Sequence, residues 1–258
     1  MSKIANAFKN KKAFIAFLTG GDPTIEKSEE FILQMVRGGA DLIEIGIPFS
    51  DPVAEGSVIQ QANIRALSAG ATTDKIFNLV EAVRKKSDVP LVFLTYLNPV
   101  FNYGYERFFS RCRSLGVDGI IIPDLPFEEK GELAGIAESY DVDVISLIAP
   151  TSEQRIKQIA AEAKGFLYVV SSMGVTGMRS EIKTDLKSIV DTAKAAANIP
   201  AAVGFGINTP EQAKAIASIA DGVIVGSAIV KIIEKHGEAA GPYLYEYVKN
   251  MKEAMEVQ

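Results

Sequence analysis

Short apolar runs alternate with longer stretches of helical period along the whole chain. Strands are predicted at 13–18, 41–46, 91–95, 119–122, 142–148, 166–171, 201–205 and 222–225, where apolar and β-branched residues follow one another with little polar interruption. Apolar residues recur at helical spacing in 28–36, 58–67, 74–86, 105–115, 128–139, 153–163, 184–196 and 210–219, and the segment from 227 onward reads as one or two closing helices. Near-continuous apolar strands separated by helices imply a parallel sheet covered on both faces. A weak internal repeat agrees: Asp41-Leu42-Ile43-Glu44-Ile45, Asp118-Gly119-Ile120-Ile121-Ile122 and Asp221-Gly222-Val223-Ile224-Val225. Eight βα units of about 30 residues point to an α/β fold of the (β/α)8 or TIM-barrel type. A doubly wound sheet competes, but the first strand lacks a G-x-G-x-x-G turn. No linker-like stretch divides the chain, so residues 1–258 are expected to form a single barrel domain. Ile4 and Phe8, one helical turn apart, predict a short N-terminal helix, read as a cap over the barrel's open end rather than an organellar targeting helix. Extra helices are expected beyond the repeating units.

Composition narrows the chemistry. The 258 residues include one cysteine, one histidine and no tryptophan, so Cys112 and His236 cannot supply a Cys/His zinc site. No metal is expected, and acid–base chemistry falls to carboxylates, tyrosine or lysine. Cys112 lies between Arg111 and Arg113, which could acidify a thiolate, but it reads as a packed helix residue. A formal net charge of −5 offers no general attraction to nucleic acid or an anionic membrane. The basic N-terminus has no apolar signal region and no run reaches a membrane span, so a cytoplasmic protein is expected.

In a barrel, catalytic groups come from the C-terminal ends of strands and the loops after them. On the second strand, alternation puts Ile43, Ile45 and Ile47 on one face and Leu42, Glu44 and Gly46 on the other. The isoleucine face belongs under helices, so Glu44 points into the lumen, where desolvation raises its pKa toward the range useful for proton transfer. Asp51 and Glu55 overhang the same face, each as open to a loop role as to a substrate role. Glycines cluster in three late loops: Gly174-Val175-Thr176-Gly177, Gly204-Phe205-Gly206 and Gly226-Ser227. Backbone amides and a helix N-terminus there suit a phosphate monoester. Phe17, Tyr96, Ile121, Tyr168 and Phe205 crowd the same end. Together these residues suggest a phosphorylated substrate carrying a flat apolar group.

The segment Ile43-Glu44-Ile45-Gly46-Ile47-Pro48-Phe49-Ser50-Asp51-Pro52-Val53-Ala54-Glu55-Gly56 resembles the α subunits of tryptophan synthases. The resemblance runs in order through Phe14-Ile15-Ala16-Phe17-Leu18-Thr19-Gly20-Gly21-Asp22-Pro23, Asn98-Pro99-Val100-Phe101-Asn102-Tyr103-Gly104, Gly174-Val175-Thr176-Gly177, Gly204-Phe205-Gly206-Ile207 and Gly226-Ser227-Ala228-Ile229-Val230. It implies a lyase that splits indole-3-glycerol phosphate into indole and glyceraldehyde 3-phosphate by a retro-aldol route. Glu44 then takes the acid–base role, and no cofactor is needed in this chain. Thr176 and Gly177 match the family's mobile loop over the substrate; Gly177, Gly206, Gly226 and Ser227 match its phosphate cradle. Phe17, Tyr96, Ile121, Tyr168 and Phe205 match the walls around the indole and glycerol chain. The family is further expected to work as an α2β2 complex with a pyridoxal-phosphate β subunit, which Pro48, Asp51 and the 98–102 loop would meet.

One position departs from the family pattern. Glu55 stands where the family has an aspartate that accepts the indole N–H, which keeps the charge but adds a methylene. Retained activity is expected, with any weakening traced to displaced carboxylate oxygens. Two other readings compete: a subunit that mainly binds and activates a β partner, and another phosphate-binding barrel enzyme.

Overall fold

The apolar runs lie side by side and all parallel, which buries them on both faces. The computed structural model describes residues 3–171, 186–204 and 206–256. Its strands are β1 (Ala13–Thr19), β2 (Leu42–Gly46), β3 (Leu91–Leu94), β4 (Gly119–Ile121), β5 (Asp143–Val144), β6 (Ser146–Ile148), β7 (Leu167–Val170), β8 (Ala201–Gly204) and β9 (Gly222–Val225). Their order is β5-β4-β3-β2-β1-β9-β8-β7-β6. The two ends of that order are consecutive pieces of one segment, parted only at Ile145. The ring therefore closes, and the eight expected strands are its eight staves.

The helices are α1 (Ile4–Phe8), α2 (Ile25–Gly38), α3 (Ser57–Ser68), α4 (Thr73–Arg84), α5 (Leu97–Tyr103), α6 (Tyr105–Leu115), α7 (Gly131–Ser139), α8 (Glu153–Ala161), α9 (Leu186–Ala196), α10 (Pro210–Ala217), α11 (Ser227–His236) and α12 (Gly241–Glu256). Alternation along each strand divides the core in two. Phe14, Ala16, Leu18, Ile43, Ile45 and Ile47 face outward into the layer beneath the helices. Ala13, Ile15, Leu42, Val92, Ile121 and Phe166 join a second cluster inside the barrel. Ile4 and Ala7 of α1 belong to that inner cluster and are buried, so the short N-terminal helix does cap the barrel.

The repeated aspartates explain themselves at the opposite end from the site. Asp41, Asp118 and Asp221 each precede a strand and reach back to the strand before it in sequence. They accept the backbone N–H of Phe14 (2.8 Å), Leu91 (3.0 Å) and Ala201 (3.0 Å) respectively. Each also holds a cation: Lys252 at 2.8 Å from Asp41, Arg84 at 3.0 Å from Asp118 and Lys194 at 2.7 Å from Asp221. Charge-assisted bonds to a strand's first amides fix its register where the ladder begins.

Four helix starts carry side-chain caps: Thr24, Thr72, Ser152 and Thr209 each accept the N–H three residues on. One stretch differs from the sequence reading. Residues 98–102, expected as a loop, lie inside α5. Pro99 falls in that helix's first turn, where a missing N–H costs nothing, and Asp124 accepts the Leu97 N–H at 3.0 Å. At two turns the helix is too short for periodicity to reveal.

Candidate active site

β2 delivers Glu44 to the lumen as alternation requires; the side chain is 1% exposed. Register places it beside Phe17 of β1 and Val92 of β3. Desolvation pushes its carboxyl from the ordinary 4.5 up to about 8. Its Oε1 atom is buried and has no hydrogen-bond partner among the described residues. An unsatisfied buried carboxyl is costly for folding, and such a group is retained where it has a proton to move. Tyr168 of β7 faces it. Burial, and then the charge of Glu44, drive the Tyr168 hydroxyl well above its ordinary range. The ring fits there because β8 carries glycine at 204: a Cβ at that position would lie 2.6 Å from the tyrosine oxygen.

Phe17 ties this acid to the late loops. A Cβ on Gly46 would sit 3.0 Å from its ring, and one on Gly226 would sit 3.3 Å from it. The ring is therefore wedged between β2 and the turn that follows β9. It packs with Ile59, Ala62 and Val230 in a small cluster above the inner core. Ile121 sits lower, fully buried in the inner cluster that Tyr168 also packs against.

The loop after β2 separates its two acids. Asp51 is exposed and accepts a hydrogen bond from the neighbouring Ser50 hydroxyl. Glu55 turns inward, and Asn63 Nδ2 of α3 donates to its Oε2 at 2.7 Å. Burial raises the Glu55 carboxyl to about 7, while hydrogen bonds from Asn63 and Tyr96 pull the other way. Tyr96, buried at the end of β3, accepts the Ala54 N–H at 3.2 Å, and its own pKa is raised by burial and by the Glu55 charge.

Neighbouring strands β8 and β9 bring two of the glycine loops together. Gly206 is exposed with φ +79°, a conformation that side-chain-bearing residues adopt only under strain. Gly226 precedes α11, whose first turn has no side-chain cap, and Ser227 is its exposed first residue. Uncapped amides at a helix N-terminus suit an anion. Thr176, Gly177 and Phe205 lie outside the described residues. Among the described residues no three His, Cys, Asp or Glu side chains converge as a metal site requires.

Sequence reasoning missed Asn63. It is 4% exposed on the stripe of α3 that also buries Ile59, Ala62 and Ala66. An asparagine in an otherwise apolar stripe was the available signal. Asp22 was also passed over; it is fully buried and receives Arg65 of α3 through two bonds of 2.9 and 2.7 Å.

A closed parallel barrel with a desolvated carboxyl in its lumen and two glycine loops on neighbouring strands has the architecture of a (β/α)8-barrel enzyme. A family model described as tryptophan synthase alpha chain matches residues 4–256. The chain belongs to that family. It is 51% identical over 258 residues to the tryptophan synthase alpha chain of Lacticaseibacillus casei, covering 100% of this chain and 97% of the relative. With the alpha chain of Lactiplantibacillus plantarum it shares 49% over 257 residues, covering 99% and 97%. The fold superposes on the crystal structure of tryptophan synthase subunit alpha from Legionella pneumophila with a TM-score of 0.90, at 36% identity and 99% coverage of both chains. It also matches a chain in the tryptophan synthase α2β2 complex of Pyrococcus furiosus, with a TM-score of 0.87, 37% identity and coverage of 93% and 98%.

Proposed function

We propose that this chain is the lyase subunit of a tryptophan synthase, cleaving indole-3-glycerol phosphate to indole and glyceraldehyde 3-phosphate. The observation that carries the reading is Glu44: a lumen carboxyl at the strand ends, protonated up to about pH 8, with a free oxygen. In its neutral form it donates a proton to indole C3, and the ring becomes cationic. The resulting carboxylate then takes the proton of the adjacent glycerol hydroxyl. As the aldehyde forms, the carbon–carbon bond breaks and its electron pair returns to the indole ring. Glu44 ends protonated, so one group serves both transfers. Glu55, held at the rim by Asn63, accepts the indole N–H and steadies the ring's positive charge.

Gly206, Gly226 and Ser227 contribute the phosphate cradle, joined by Gly177. Phe17, Tyr96, Ile121 and Tyr168, with Phe205 and Thr176, enclose the indole and glycerol chain. The inward turn of Glu55 favours catalysis over a purely binding role. Residues 1–258 act as a single barrel domain, placed with its biosynthetic pathway in the cytoplasm; no described helix is long and apolar enough to cross a membrane. The chain needs no cofactor of its own and works as α2β2 with a β chain that carries pyridoxal phosphate. Val53 (76% exposed) and Phe101 (63% exposed), near Asp51 and on α5 respectively, offer apolar surface for that partner. Indole release from indole-3-glycerol phosphate by the wild type and by Glu44→Gln, alone and with a tryptophan synthase β chain, tests the reading. Indole from the wild type but not the variant supports it. No indole under any condition, with the β reaction still stimulated, would leave a binding subunit instead.

A further inference from the structure

Glu55 closes the loop after β2, and the structure shows what receives its side chain. Helix α3 grips the end of the loop twice. Asn63 Nδ2 donates to the Glu55 carboxylate at 2.7 Å, and Gln60 Nε2 donates to the Glu55 backbone carbonyl at 2.9 Å. The helix is itself fixed by Arg65, which forms the two-bond pair with buried Asp22 and lies 3.5 Å from Glu234 of α11. Asn63 is therefore presented to Glu55 from a helix that has its own anchors outside the loop.

We infer that Asn63 is a positioning residue of the active site, favouring the ionised form of the Glu55 carboxylate and aiming it at the substrate. The chemistry follows from the donor. An amide N–H stabilises a carboxylate more than a neutral carboxyl, and it brings no charge that would compete with a cationic ring. Among the described residues, Tyr96 from the end of β3 is the titratable group that faces the Glu55 carboxyl. Asp124, from the segment after β4, stands behind it and acts on Tyr96. Neither supplies a positive charge, so Asn63 and the Tyr96 hydroxyl oppose the burial that would otherwise keep Glu55 protonated near neutral pH.

The inference rests on the lyase reading for its consequence but not for its test. Glu55 is titrated in the ligand-free full chain by 13C NMR of carboxyl-labelled glutamate, its signal identified by loss in Glu55→Gln. Indole release is measured across the same pH range. In Asn63→Leu the Glu55 midpoint is expected to rise by about one pH unit. The acid limb of kcat/KM should move with it, while the alkaline limb stays where the wild type has it. An unmoved midpoint, or a loss of activity uniform across pH, overturns the inference. Asn63→Ala, which also removes the donor, serves the same comparison if the leucine variant does not fold. If the wild type itself releases no indole, the lyase reading falls and the ligand-free titration still decides the role of Asn63.

Discussion

Replacing Glu44 by glutamine should destroy activity and stabilise the protein at alkaline pH. Its carboxyl is raised from 4.5 to about 8 by burial alone. Between those values the folded chain keeps a proton that the unfolded chain has lost, so stability falls as pH rises. That contribution is fully present below 4.5 and is gone once pH passes about 8. At about 1.4 kcal/mol per pH unit the loss amounts to about 5 kcal/mol, a large share of a typical domain's stability. Glutamine keeps the shape and cannot ionise. Whatever constant offset its amide brings, the stability difference between variant and wild type should grow with pH and level off above about 8. Urea denaturation of both proteins from pH 5 to pH 9 measures it, and the contribution of Glu55 cancels because both proteins carry it. Indole release by the variant should fall at least about a hundredfold, the lower range for lost general acid–base catalysis. A stability difference that does not change with pH would falsify the claim that Glu44 is a desolvated, unpaired carboxyl.

Three further outcomes follow from the same geometry. The rate of indole release should be bell-shaped in pH, rising through about 7 as Glu55 ionises and falling through about 8 as Glu44 loses its proton; a flat kcat/KM profile contradicts both assignments. Gly204→Ala should lower kcat/KM by about tenfold with the fold retained, because the new methyl group displaces the Tyr168 hydroxyl from beside Glu44; equal kinetics for the two proteins would show that Tyr168 can sit elsewhere. Glu55→Asp should also lower kcat/KM by about tenfold, since a side chain one methylene shorter loses its reach between Asn63 and the indole nitrogen. Faster turnover in that variant would show that the loop is still built for aspartate.

The barrel was legible because its signals are local. Runs of β-branched residues, helical period and the recurring Asp before strands survive in sequence with little help from distant contacts. The direction of Glu44 was legible for the same reason: three isoleucines on alternate positions leave the other face for the lumen, and a strand's two faces cannot exchange without a slip in register. The α5 helix was not legible, since two turns give periodicity nothing to repeat and its start depends on Asp124, a group from the following βα unit.

The difference between Asp51 and Glu55 belongs to the tertiary structure. In sequence both are carboxylates on one proline-stiffened loop. Only the folded chain turns one out to solvent and brings the other to a helix that supplies an amide donor. Likewise Gly46 reads only as a strand position, and Gly204 and Gly226 only as members of glycine loops, until the rings of Phe17 and Tyr168 are seen lying against them. Sequence by itself determined the barrel, the family and the lumen direction of Glu44, because each is written in periodicity or in a contiguous motif. The tertiary structure decided which further groups act on that acid and on Glu55, because burial and hydrogen-bond reach are set by residues the chain brings together from separate βα units.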